Sequence, residues 1–390
     1  MLTSRRRFLQ QGGLAAASVL APQRLRAAGE PIRIGAPGNY TGAQASLDTP
    51  LLNGLALKLR ELNAAGGLLG RTLQLVSADM ATDPARAWQV AQELEREAVV
   101  AAIGFSDTDS VLALAPLTAA RGLPFITPGA TSPQLPQEIG PTLYLACFGD
   151  NVQAAAGAEF LLGRDLRRVH LLHNSDSAYT RLLAGYFQAA FEHGGGTVLA
   201  RENYVAGDAS EIVGLVAAAS AAPPADAIYL SALPDEAGSI VAALRSAGLT
   251  VPIVGGDGYD TPLLQEQAGP EVREVYYSTH VYMGNEPKPA VLDFMSRYWT
   301  AFGYGPIGAF AALGYDALGL LAEAIGRAGS TAPQAVLTAL SGIENYDGVT
   351  GRISYGPDQR VPLKSVSLIG LDRGELRLAA ELVPAWVPDA

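Results

Sequence analysis

From Ile32 onward the chain repeats one unit, a short apolar strand followed by an amphipathic helix, and near Asp150 the series starts again. "PIRIGA" reads as the first strand, and Leu52, Leu55, Leu59 and Leu62 then mark one helical face that ends at Gly66-Gly67. "TLQLVSAD" is the next strand, and Asp83-Pro84 predicts a helix start, an N-cap followed by proline at the first helical position. Ala87, Val90, Ala91 and Leu94 line the buried side of that helix. "AVVAAIG" and "LPFIT" are apolar without alternation, as in strands covered on both faces.

The second series opens with Asp150 and Gln153, spaced as in a capping box. It continues through "RRVHLLH", a helix carrying Leu183, Phe187, Ala190 and Phe191 up to Gly194, "DAIYLSAL", a helix ending near Gly248, "VPIVGGD" and "EVYYSTHVY". Long helices follow around Leu292, Met295, Trp299 and Phe302 and from Gly308 to Gly329; "KSVSLIGL" and "ELRLAAELV" close the chain as strands. With 390 residues, too many for one core, the two series predict an α/β protein with two doubly wound parallel sheets.

The N-terminus is different in kind. "SRRRFLQ" precedes a mild apolar stretch, Gly12 to Ala21, and then "PQRLRAAGE", which together resemble a twin-arginine export signal spanning residues 1–28. Arg5, Arg6, Arg7, Arg24 and Arg26 leave with it, so the mature chain is more acidic than the net charge of −11. An acidic body offers no electrostatic footprint for nucleic acid or anionic lipid. No apolar run in the body reads as a membrane span. The single cysteine, Cys147, excludes an internal disulfide and a lipid anchor after the signal, which places the expected protein free in the periplasm.

Three strand ends share one design: "IGFSDTDS" (Ile103 to Ser110), "ITPGATSP" (Ile126 to Pro133) and "VGGDGYD" (Val254 to Asp260). Each strand gives way to small and hydroxyl residues, and in doubly wound sheets ligands bind beyond the carboxyl ends of strands. Catalytic signals are poor by comparison. "GAPGNYTG" lacks the G-x-G-x-x-G spacing, no G-x-S-x-G elbow occurs, and no zinc spacing exists. His170, His173, His193 and His280 are scattered. No cofactor and no metal are expected.

The runs "LAPLTAARGLPFITPGATSPQL", "NAAGGLLGRTLQLVSAD", "FGDNVQ", "VGGDGYDTPLLQEQAG" and "AFAALGYDAL" resemble, in order along the mature chain, the leucine/isoleucine/valine-binding family of periplasmic substrate-binding proteins of ABC transporters. The resemblance implies two lobes joined by three hinge crossovers, near Phe148–Asp150, His280–Val281 and Tyr355–Gly356. Lobe 1 would be residues 29–148 plus 282–355, and lobe 2 residues 149–281 plus 356–390. It implies a monomeric receptor that traps a small solute and hands it to permease subunits. By the same resemblance Thr108 would bind a ligand carboxylate, with Gly129 and Thr131 supplying backbone and hydroxyl contacts. Tyr179 would line the far lobe, Asp257 would pair with a ligand ammonium, and Phe310 would form an apolar wall.

Two cleft tyrosines of the family are replaced here by Leu47 and Leu233, and a family disulfide by Thr82 and Asp107. Asp107 and Asp109 flank Thr108, where negative charge is unfavourable to a carboxylate unless it points away. An aliphatic, branched-chain amino acid is the leading ligand; an amide, a urea-like compound or an organic acid remains open. An enzyme on this fold and a sensing subunit are the further alternatives.

Overall fold

The structure is a computed structural model and describes residues 29–390 except Asp208 and Pro357. The export-signal reading falls on residues 1–28 and lies outside the described residues.

The first series is β1 (Ile32–Gly38), α1 (Ala45–Ala64), β2 (Leu73–Asp79), α2 (Ala87–Arg96), β3 (Ala101–Ile103), α3 (Thr108–Ala119), β4 (Phe125–Thr127), α4 (Leu135–Ile139) and β5 (Leu143–Leu145). The second is α5 (Asp150–Leu162), β6 (Arg168–Asn174), α6 (Ala178–His193), β7 (Thr197–Tyr204), α7 (Ala209–Ala221), β8 (Ala227–Ser231), α8 (Pro234–Ser246), β9 (Ile253–Gly255), α9 (Pro262–Ala268) and β10 (Val275–Thr279). The chain then returns to the first lobe with α10 (Pro289–Phe302), α11 (Ala309–Ala328), α12 (Pro333–Ser341) and the hairpin β11 (Tyr346–Gly348) and β12 (Gly351–Ile353). It ends in the second lobe with β13 (Val366–Asp372) and β14 (Glu375–Leu382).

The first sheet, in order β2-β1-β3-β4-β5, is parallel throughout. Side chains on its two faces enter separate apolar clusters. Ile32, Ile34 and Ile103 pack with Leu321 and Ile325 of α11, while Ala102, Phe125 and Leu145 pack with Leu94 of α2 and Leu114 of α3. Burial on both faces is why these strands read as unbroken apolar runs.

The second sheet, in order β14-β13-β10-β9-β8-β6-β7, differs from the all-parallel expectation. β7, β6, β8, β9 and β10 are parallel, but β13 runs antiparallel to β10 and β14 antiparallel to β13. The physical reason is the two-residue turn at Arg373-Gly374, whose φ angles of 49° and 79° suit a tight hairpin. A parallel pair would have required a helix between β13 and β14.

The chain passes between the sheets three times, after β5, after β10 and before β13. Phe148 already belongs to the second lobe's core, whereas Val281 packs against α10 and α11. Near the third passage the chain stays with the first lobe beyond Tyr355: Leu145 N donates to Arg360 O at 3.0 Å, and Val361 packs into that lobe's cluster.

α11 is the one helix among the described residues long and apolar enough to cross a membrane, but nine-tenths of its apolar window is buried between α1 and the first sheet. It is a core helix. Two glycines let α1 and α11 touch backbone to backbone: a Cβ on Gly54 would lie 1.8 Å from Ala311 O, and one on Gly314 2.2 Å from Leu51 O.

Candidate functional site: a cavity between the lobes

The loop after β3 supplies the first wall. Phe105 is fully buried at φ 67°, a left-handed conformation that costs a bulky residue roughly 1–3 kcal/mol. Neighbouring loops hold it there: its carbonyl accepts from Thr127 Oγ1 at 3.0 Å and from Gly129 N at 3.3 Å. Ser106 N donates to Asp48 Oδ1 of α1 at 2.7 Å, which fixes the next residue. The strand ends after β3 and β4 are therefore bound to each other. Gly129 must be small, because a Cβ there would meet Phe310 Cε1 at 2.8 Å and Ser106 Cβ at 3.1 Å.

At the start of α3, Asp107 folds back on its own helix and accepts from Ser110 N at 2.9 Å and Ser110 Oγ at 2.6 Å. This is an N-cap, and it neutralises part of the charge that the sequence places beside Thr108. Burial, and then the Asp109 charge, hold the Asp107 carboxyl above the usual range. Two hydroxyls beside it, Ser106 Oγ and Thr108 Oγ1, are buried with no hydrogen-bond partner.

The second lobe supplies the other wall. Asp257 Oδ1 accepts from Tyr179 Oη and from Gln153 Nε2, both at 2.9 Å, and Asp257 Oδ2 lies 3.0 Å from His280 Nε2. Gln153 Oε1 in turn accepts from Asp257 N at 3.0 Å and from Ser278 Oγ at 2.5 Å. The capping-box expectation at Asp150 is corrected here. Asp150 is already the first residue of α5, and the Gln153 amide reaches over it to Asp257, bonding Asp150 Oδ1 on the way. Burial, reinforced by the Asp257 charge, pushes Asp150 up to about 8, against the lowering pull of the Thr131 hydroxyl and the Gln153 amide.

Burial lowers the pKa of His280 below the usual histidine range, and the Asp257 hydrogen bond only partly opposes it. A neutral imidazole donating Nε2–H to Asp257 is therefore the stable form. Burial and the Asp257 charge raise Tyr179 far above the ordinary phenol range, so it remains a donor.

Five of the sequence-predicted residues line one cavity together: Leu47, Tyr179, Leu233, Asp257 and Phe310. Gln44, Ser106, Asp107, Pro234 and Gly258 complete the lining. The other three predicted residues are not part of this lining. Thr108 offers its unpartnered hydroxyl, Gly129 backs Phe310, and the Thr131 carbonyl accepts from Asp150 N at 2.7 Å. Sequence reasoning passed over Gln153, Ser278 and His280; their partners are distant in sequence, and only the position of His280 just past β10 hinted at a role. Among the described residues no cluster of His, Cys, Asp and Glu is arranged to hold a metal. Cys147 is a buried free thiol, and burial pushes its pKa up, which suits packing and not nucleophilic work.

Two doubly wound lobes, three crossings and a cavity lined from both lobes define a solute-binding protein of the hinged, two-lobed class. The family model described as periplasmic binding protein matches residues 31–374, and the chain belongs to that family. An "Amino acid binding protein" of Pseudomonas aeruginosa is 29% identical over 60% of this chain and 63% of its own length. The Leu/Ile/Val-binding protein BraC3 of Rhizobium johnstonii is 25% identical over 90% of this chain and 94% of its own. Among solved structures, LivJ from Streptococcus pneumoniae, a branched-chain amino acid transporter substrate-binding protein in complex with isoleucine, superposes with a TM-score of 0.82. It shares 27% identity and covers 91% of this chain and 99% of its own.

Proposed function

We propose that this protein is a periplasmic receptor that captures an aliphatic α-amino acid between its lobes and delivers it to the permease subunits of an ABC transporter. The carrying observation is the pairing of opposites around one cavity. A fixed carboxylate, Asp257, stands on one wall and Ser106 on the other, and the buried hydroxyls Ser106 Oγ and, two residues on at the start of α3, Thr108 Oγ1 have no hydrogen-bond partner. A zwitterion leaving water needs both charges matched, or it costs several kcal/mol for an unpaired buried ion. Asp257, oriented by Tyr179, would take the ammonium. Thr108, Ser106 and the Gly129–Thr131 loop would take the carboxylate.

Leu47, Leu233 and Phe310 would sort side chains, at about 0.8 kcal/mol per buried methylene, so the pocket grades aliphatic ligands mildly. In this reading lobe 1 is 29–148 plus 282–355, extended through Val361 at the third crossover, and lobe 2 is 149–281 plus the chain from there to 390. The mature protein works as a monomer, binds without turnover, and leaves the cytoplasm by a twin-arginine signal in residues 1–28. A second reading is an amide, urea-like or organic acid ligand, and one feature favours its uncharged members: Asp107 on the cavity wall adds a second acid where a ligand carboxylate would sit.

A thermal-shift panel separates the two readings. L-Leucine, 4-methylpentanoate and 4-methylpentanamide share a skeleton and differ in which charge they carry. Stabilisation grows as RT ln(1 + [L]/Kd), about 2.7 kcal/mol at a hundredfold excess over Kd. The amino-acid reading expects leucine alone to raise the Tm by several degrees. A shift with 4-methylpentanoate or the amide and none with leucine would favour the second.

A further inference from the structure

Neither α6 nor α11 caps its own N-terminus. Ser177, at the N-cap of α6, makes no side-chain bond to its own helix, and α11 begins after Gly308, which has no side chain. Each helix receives a carboxylate from the opposite lobe instead. Asp109, in the first turn of α3 in lobe 1, accepts from Ser177 Oγ at 2.7 Å and from Ala178 N at 3.1 Å in lobe 2. Asp260, in the loop of lobe 2 that carries Asp257, accepts from Ala309 N of lobe 1 at 2.8 Å and from Thr279 Oγ1 at 2.6 Å.

We propose that Asp109 is a positioning residue that latches the lobes shut by capping α6 across the cleft. The next residue of α6 after Ala178 is Tyr179, whose hydroxyl holds Asp257. A carboxylate seated on the helix start therefore fixes the segment that aims the ligand's partner acid. When the lobes part, Asp109 returns to water and the first amides of α6 lose their acceptor. The latch thus adds to affinity without touching the ligand, and it explains why an acid stands beside Thr108 without spoiling a carboxylate site: it points to the other lobe. The Asp260 contact is the reciprocal arrangement beside the second crossover.

The test is a double-mutant cycle with L-leucine, L-isoleucine and L-valine as probes, read by titration calorimetry on wild type, Asp109→Ala, Ser177→Ala and the double variant. Losing a charge-assisted cap should raise Kd about tenfold for Asp109→Ala, equally for all three probes, and the double variant should lose less than the product of the singles. A residue that merely supported the fold would instead lower the Tm of the unliganded protein, which should stay within a few degrees here. A Kd within about twofold of wild type, or strict additivity, would overturn the latch. The proposal rests on closure of the two lobes and not on the ligand. If wild type binds none of the three probes, the amino-acid reading fails while the latch is still read from spin labels at Gln89→Cys on α2 and Ser239→Cys on α8. The closed fraction should then be smaller in Asp109→Ala, and identical distance distributions would overturn it; the one native cysteine, Cys147, is buried and stays unlabelled.

Discussion

His280 shows how much a single side chain can tie together. Its ring stacks on Phe148 at 4.0 Å between centroids, meets Phe310 edge-on at 5.9 Å, and donates to Asp257. It thus joins the first crossover, the second crossover, the cavity wall and Asp257, the acid proposed to pair with the ligand. Its pKa is depressed by burial, with Lys364 pushing the same way and Asp257 opposing. The unfolded chain takes a proton first, so stability present at neutral pH is lost as pH falls below the ordinary histidine pKa of about 6.5. Binding follows the same sign. A protonated ring would compete with the ligand ammonium for Asp257, so affinity for L-leucine should hold from pH 8 to below 6.5 and fall only in more acid solution, once the pH passes the depressed pKa of the folded ring. Calorimetry across that range on wild type and His280→Gln checks this: the acid limb should be reduced in the variant, which keeps a donor but cannot charge. An unchanged limb would remove His280 from the account.

At the scale of elements, stability depends on how closely helices approach. α1 and α11 meet through Gly54 and Gly314, where an added Cβ would strike a backbone carbonyl at 1.8 and 2.2 Å. Neither obstacle is a flexible side chain, so the helices must separate to admit a methyl. Gly54→Ala should therefore lower unfolding free energy by about 3 kcal/mol, the upper range for overpacking, as measured by urea denaturation. A change below about 0.5 kcal/mol would show that α1 can shift without cost. The same seam explains α11 itself. Its composition passes for a membrane span because both its sides are packed, against α1 and against the sheet.

For the molecule as a whole, the sequence carried the architecture further than the wiring. Unbroken apolar strands between amphipathic helices, restarting at Asp150, were enough to predict two doubly wound lobes, and the three strand-end loops pointed to the cleft. Strand direction in β13 and β14 was not legible, because an apolar run has no arrow; only the Arg373-Gly374 turn sets it. Of the residues singled out in the sequence, Asp257, Tyr179, Leu47, Leu233 and Phe310 line one cavity. Gln153, which shares Asp257 with Tyr179, was read only as half of a capping box, because it lies 104 positions from Asp257 and bonds it by tertiary placement alone. Asp109 was read as an electrostatic problem for Thr108, and its partner 68 positions away turns it into a contact between lobes.

That whole-molecule account comes down to whether one buried acid selects the ligand. Asp257→Asn keeps the shape of the side chain and an acceptor for Tyr179 or Gln153 while removing the charge. Titration of L-leucine into wild type and this variant, both verified as folded by circular dichroism, is the most direct measurement. The account predicts clear binding to wild type and a loss of about a hundredfold or more in the variant, the cost of leaving a buried ammonium without its counter-ion. Equal affinity in the two proteins, or no binding of leucine to wild type, would contradict it.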